Sequence, residues 1–279
     1  MKHLLAFLII IGWSPLLLAQ TDSVELDKKS TLTLSSLVSS NANYYGQTAE
    51  EKLPFAYLDL RWQAPWGWYI SGGGYQLITE DDLPSEMHLS TGFEFEFNPS
   101  MMLDVSYTRS FYAKESPLLQ ASNPNSATAA LGFTHLFKTE LTADFNFGKT
   151  EDFFVALENT KQVKLAQWGQ GLFYVNPGIT VVAGTQRFYT TYIEERGRAL
   201  GLDHLLPLPA LEGMGKDSVE RTTVSSNFNL LSYSLNVPFI YYWGKNAVML
   251  SYQLSLLSKK SAQERRQNSF FSLGYFYQF

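Results

Sequence analysis

The 279-residue chain contains no cysteine. Disulfides, thiol nucleophiles, thiolate zinc sites and a lipid anchor on a cysteine are all excluded, so hydrogen bonds and packing alone must hold the fold. Histidine is scarce: beyond His3, only His88, His135 and His204 occur, at unrelated positions and without the spacing of a metal-ligand cluster. Basic charge is not in excess, since the formal net charge is -5 and the pI is near 5.4. A surface built to displace counterions from phosphates needs that excess, so no nucleic-acid partner is expected, and no cofactor motif stands out.

Long apolar runs are missing too, with one exception at the start. Met1-Lys2-His3 carries positive charge, Leu4 to Leu18 is apolar but broken by Gly12 and Pro15, and Ala19 offers a small residue for cleavage. The run is shorter than the roughly 18 to 20 residues of a spanning helix, so residues 1–19 read as a secretory signal peptide and 20–279 as the mature chain. No later segment is long and apolar enough to form a transmembrane helix.

What the chain has is aromatic side chains, at 15% with Tyr 16 and Phe 20, beside a mean hydropathy of only -0.11. An exported chain that spans a membrane without helices must be a closed β-barrel, because only closure pairs every backbone group. The diagnostic is period-two alternation, and it recurs. Met87, Leu89, Thr91, Phe93, Phe95 and Phe97 alternate with His88, Ser90, Gly92, Glu94, Glu96 and Asn98. Similar windows begin at Ala56, Leu103, Leu141 and Leu250, and none shows the 3.6-residue period of a helix.

Connections of two sizes separate these windows. Short ones are expected at 64–67, 98–100, 138–140, 169–171 and 243–246; longer polar ones at 41–53, 79–86, 112–125, 149–152, 193–221 and 258–268. Five short and six long connections predict an all-β, antiparallel transmembrane barrel of about twelve strands, with short periplasmic turns and longer extracellular loops. Trp62, Trp66, Trp68, Trp168 and Trp243 fall beside short turns, as an interfacial girdle would. Tyr44, Tyr45, Tyr75, Tyr112, Tyr189 and Tyr192 mark the long-loop ends and are expected to form the second girdle. Irregularity is expected around Asn159 to Lys161, where alternation breaks, and at Pro177 and Pro238, which lack a ladder donor. The 193–221 segment reads as a surface loop able to fold inward as a plug or hold a short helix.

The chain ends SFFSLGYFYQF, with Phe271, Leu273, Tyr275, Tyr277 and Phe279 on one face and the terminal carboxylate on a phenylalanine. This resembles the C-terminal strand of bacterial outer-membrane β-barrels. The resemblance implies residence in the cell outer membrane, among its lipid and lipopolysaccharide, and recognition of this strand by the barrel assembly machinery. By parity the strand should close the barrel against Thr31 to Ser39.

Chemistry has few candidates. His88-Leu89-Ser90 is similar to the His-x-Ser arrangement of outer-membrane acyl hydrolases, but here the pair shares a face opposite Phe93, Phe95 and Phe97, which puts it in the lumen. Gly72-Gly73-Gly74 lacks the Lys-Ser/Thr of a P-loop and reads as room for a curved strand or a neighbouring side chain. The run from Lys259 to Arg266 reads as a solvated loop, able to meet acidic lipopolysaccharide if it lies outside.

The stronger constellation is a layer of pore-lining charges: Asp59, Arg61, Glu94, Asp104, Asp144 and Lys164 lie at similar distances from their short turns. Pairing Phe97 with Met101 across the 98–100 turn sets Glu94 opposite Asp104, and two facing carboxylates need a cation or a shared proton, with Arg61 and Lys164 as partners. These features predict a monomeric or weakly oligomeric, non-enzymatic, porin-like channel for small polar or cationic solutes. The alternatives are a structural or adhesive barrel without a through-path, in which the same charges form a closed network, and a lipid-modifying hydrolase.

Overall fold

The computed structural model describes residues 29–48, 52–79, 84–113, 123–185, 228–258 and 267–279. Residues 1–19, read as a signal peptide from the sequence, the 193–221 segment and the basic run after Ser258 lie outside the described residues. The strands, in chain order, are β1 Thr31–Ser39, β2 Phe55–Gln63, β3 Trp68–Leu77, β4 Glu86–Asn98, β5 Met101–Tyr112, β6 Asn125–Thr134 and β7 Lys138–Phe147. They continue with β8 Glu151–Thr160, β9 Val163–Trp168, β10 Gly171–Val175, β11 Gly178–Thr185, β12 Phe228–Trp243, β13 Asn246–Leu257 and β14 Gln267–Gln278.

Neighbours in sequence pair antiparallel from β1 to β8 and from β12 to β14; β1 pairs with β14, and β8 passes to β11, which pairs with β12. The result is a closed ring of twelve strands. Closure against β14 runs Thr33↔Gln278 to Ser39↔Ser272, the junction the C-terminal alternation implies. The exterior is apolar: Leu58, Leu89, Phe97, Leu250 and Phe271 are each more than half exposed. A soluble domain would bury such side chains, whereas a bilayer solvates them. The chain is a transmembrane β-barrel of the outer-membrane kind, and the outer membrane is its place.

The irregularities fall where alternation fails. The strand leaving β8 breaks at Lys161 and Gln162 before resuming as β9, and opposite it Asn176-Pro177 separates β10 from β11. Pro238 sits in β12 where its neighbour changes from β11 to β10; its carbonyl accepts from the Asn176 N–H, so its missing N–H faces the same break. The β9–β10 hairpin extends the short-turn end.

Three details differ from the sequence reading. The β6–β7 turn is His135-Leu136-Phe137, and Lys138 to Glu140 belong to β7; an apolar turn is tolerated because it lies at the membrane interface. Phe97 is bulged out of the β4–β5 ladder, so Met101 faces Asn98 and not Phe97, while Glu94 still faces Asp104. Tyr44, Tyr45, Tyr75 and Tyr112 do not form an outer girdle: they point into the barrel, where Tyr75 and Tyr112 pack against Leu53, Phe55 and Leu77. Tyr189 and Tyr192 lie outside the described residues. The short-turn girdle does form, with Trp66 stacked on Trp68 and Trp68 edge-on to Trp62.

Candidate functional site: the lumen and the loop that crosses it

Period-two alternation sends every second side chain inward, so the lumen wall is read directly from the strands. The strands β1 and β10 to β14 contain no Asp, Glu, Lys, Arg or His. Their lumen face is hydroxyl and amide: Ser234 and Ser255 share a hydrogen bond of 2.7 Å, and Ser251 donates to Asn236 at 2.7 Å. Among the described residues, the charge that the strands send into the lumen stands on the opposite arc, β2 to β8.

That arc carries two networks, around Arg61 and around His88, besides a Lys138–Glu140 ion pair of 2.9 Å near the β6–β7 turn. Nearer the short turns, Arg61 pairs with Glu94, whose second oxygen accepts from Gln63 Nε2 at 2.8 Å. The Arg61 guanidinium lies 3.6 Å from the Tyr69 ring centre, and that ring crosses the face of Gly92. Tyr69 donates to Asp104 Oδ1 at 3.1 Å. Glu94 and Asp104 face each other in the ladder, and each has its own donor, Arg61 for one and Tyr69 for the other. Nearer the long loops, His88 lies between Asp59, 3.2 Å from Nε2, and Glu86, 3.3 Å from Nδ1, with its ring stacked on Tyr57. Ser90 bonds instead to Thr108, at 2.7 Å. With both ring nitrogens facing carboxylates, His88 has none left to take a proton from Ser90.

Asp144 belongs to a third arrangement. It accepts from Thr128 Oγ1 at 2.5 Å and from the Tyr45 hydroxyl at 2.6 Å. Tyr45 is not on the wall: it tips the loop between β1 and β2, which folds into the barrel. Tyr44 and Gln47 exchange backbone hydrogen bonds, and Tyr45 and Gly46 between them have φ of 53° and 88°. That is a tight turn with two left-handed residues, where glycine is favoured. A Cβ on Gly46 would also come 2.6 Å from Ser232 Oγ.

The turn is anchored on both arcs. On the neutral side, Ser232 donates to the Tyr45 carbonyl at 2.7 Å and Asn268 to that of Gly46 at 3.1 Å. On the charged side are the Tyr45–Asp144 bond and an Asn146 donation to the Tyr44 hydroxyl at 3.1 Å. Between them, Phe154, Val182 and Leu231 form a buried apolar pad under both tyrosines, with Tyr45 stacked on Phe154 at 4.1 Å. Leu231 is the extra residue of a β-bulge, which re-aims it inward. Burial and then the Asp144 charge raise the Tyr45 hydroxyl well above its ordinary range, so it remains a donor.

Of the residues singled out from the sequence, Arg61, Glu94 and Asp104 lie within one network, Asp59 joins His88, and Asp144 holds the loop. Lys164 stands apart on the exposed β9, with Nζ 3.3 Å from Gln167 Oε1. Sequence reasoning missed Tyr45, Phe154, Ser232 and Asn268, whose contacts span about a hundred residues or more; the only local signal was Asn43-Tyr44-Tyr45-Gly46, a turn sequence with Asn43 Oδ1 accepting from the Gly46 N–H at 2.8 Å.

No protein-family model matches the chain, and no curated protein matches it in sequence. Solved barrels are similar in fold alone. A KdgM porin aligns over 88% of this chain and 99% of its own at 9% identity, with a TM-score of 0.46. An outer membrane channel from Pseudomonas putida F1 aligns over 96% and 100% at 10% identity, TM-score 0.47. LpxR from Salmonella typhimurium aligns over 88% and 99% at 10% identity, TM-score 0.46. Likeness of this degree carries no solute or activity to this chain.

Proposed function

We propose that the protein is a narrow, non-enzymatic diffusion channel that favours small cationic or polar solutes, with its constriction where the 41–48 loop crosses the lumen. The observation that carries this reading is the one-sided charge of the wall. Asp59, Glu86, Glu94, Asp104, Glu140 and Asp144 outnumber Arg61, His88 and Lys138 on one arc, and among the described residues the strands of the facing arc offer no compensating cation. A low-dielectric wall with that imbalance concentrates cations and repels anions. The engagement of Ser90 with Thr108 and of both His88 nitrogens with carboxylates supports the non-enzymatic part.

The experiment is single-channel recording of the refolded protein in planar bilayers, for the wild type and for Gly46→Val, which cannot seat the loop. Small wild-type steps that grow in the variant support a channel constricted by the loop. Silence from both, with the variant correctly folded, overturns the channel in favour of a structural barrel. We also infer that the C-terminal strand is what the assembly machinery reads and that lipopolysaccharide surrounds the outer half; deleting Phe279 and following insertion in cells tests the former.

A further inference from the structure

Above His88, on the charged side of the 41–48 loop, the lumen holds a cavity of about 340 Å³. That is at the small end of the roughly 300–1,000 Å³ typical of ligand sites. Its lining is chemically uneven. Tyr44, Tyr45, Tyr57, Tyr75 and Tyr112 contribute aromatic surface, and Glu86 contributes a carboxylate that is 3% exposed. Among the described residues the only side-chain partner of Glu86 is His88, through one carboxylate oxygen, so the other is left toward the cavity. The hydroxyls of Tyr57 and Tyr75 likewise carry no hydrogen bond among the described residues.

Three ligand classes can be weighed against this lining. Anions are disfavoured, because Glu86 lines the space, Asp59 and Asp144 stand behind its lining residues His88 and Tyr45, and His88, the one basic group lining it, is already held by Asp59 and Glu86. A neutral polyol could donate to the second Glu86 oxygen, but it would leave the surplus negative charge of Asp59 and Glu86 over His88 without a counter-ion. An organic ammonium answers both features, since its charge meets Glu86 and its alkyl surface meets tyrosine faces, the combination that recognises such cations elsewhere.

We propose that this cavity is a binding site for a small organic cation, a primary or quaternary ammonium compound, on the extracellular side of the constriction. The assignment rests on the cation-favouring reading of the lumen and adds to it a resident site with a defined ligand class.

The test uses the full refolded barrel in detergent, where binding is measured without transport. Tetramethylammonium and ethylammonium are titrated by calorimetry against equal ionic strength of sodium chloride, with glucose and acetate as neutral and anionic probes. The expected result is saturable binding of the ammonium probes alone, weakened at least tenfold in Glu86→Gln and changed less than twofold in Lys164→Ala, which removes a cation on the exposed β9 outside the cavity. Should Glu86→Gln fail to fold, Tyr75→Leu serves in its place, with the same tenfold loss expected. Ammonium binding that survives loss of the carboxylate or the ring, saturable binding of glucose or acetate, or no binding by any probe overturns the proposal. Bilayer recordings report on the channel separately, so a conducting barrel that binds no ammonium would defeat this site and leave the channel standing.

Discussion

The two arcs of the barrel share a backbone architecture and an apolar exterior and differ in what they send inward. The arc from β2 to β8 is charged, with pairs such as Arg61–Glu94 and Asp59–His88 strung along it. The arc of β11 to β14 and β1 is neutral, and Ser232 and Ser255 on it are fully buried. The difference shows a division of labour within one ring. The neutral arc can be covered by a loop because hydroxyls and amides are satisfied by single hydrogen bonds, whereas carboxylates would lose hydration they could recover only with matched partners. The 41–48 turn accordingly has its backbone carbonyls bonded by the neutral arc and meets the charged one through the Phe154 ring, Asn146 and the carboxylate of Asp144, whose neighbour Thr128 shares the load.

Moving charge to the wrong arc should break the division most severely. Ser255→Lys puts an ammonium where a fully buried hydroxyl stands, beneath the loop; an unpaired buried charge costs several kcal/mol, so most of the protein should fail to reach the heat-modifiable folded form on a gel. Unseating the loop should come next. In Gly46→Val a side chain collides with Ser232 at a left-handed backbone position, and single-channel conductance should rise severalfold while the barrel remains folded.

A milder cut separates the loop's two anchors. Tyr45→Phe keeps the stacking on Phe154 and removes the bond to Asp144. A hydrogen bond to a charged group contributes about 1.5–3 kcal/mol, so the undocked population should grow roughly ten- to a hundredfold, seen as more frequent or longer openings. The smallest effect belongs to Lys164→Ala. Because Lys164 stands on the exposed hairpin and not among the lumen carboxylates, selectivity should stay within experimental error of the wild type.

How far the sequence reaches follows from which constraints are local. The exterior was legible because lipid demands a large apolar residue at every second position, and windows such as Met87 to Phe97 display that without help from any other strand. The facing of Glu94 and Asp104 was legible for the same reason, and it survives the Phe97 bulge because the extra residue lies between the pair and the turn. The turn at 135–137 was misplaced because Leu136 and Phe137 look like strand and Lys138-Thr139-Glu140 looks like turn, a rule learned from water that fails at a membrane interface. Tyr44 and Tyr45 were misread because an aromatic that anchors in headgroups and one that plugs a lumen have the same local signature. What separates them is Asp144, Phe154 and Ser232, which only closure of the ring brings near.

The measurement that tests the charged arc most directly is the reversal potential across a potassium chloride gradient for the wild type and for the double variant Glu94→Gln, Asp104→Asn. The wild type should reverse on the cation-selective side and the variant close to zero, with the fold unchanged by gel mobility. An identical reversal potential in the two proteins would contradict the claim that the charged arc sets what the barrel admits.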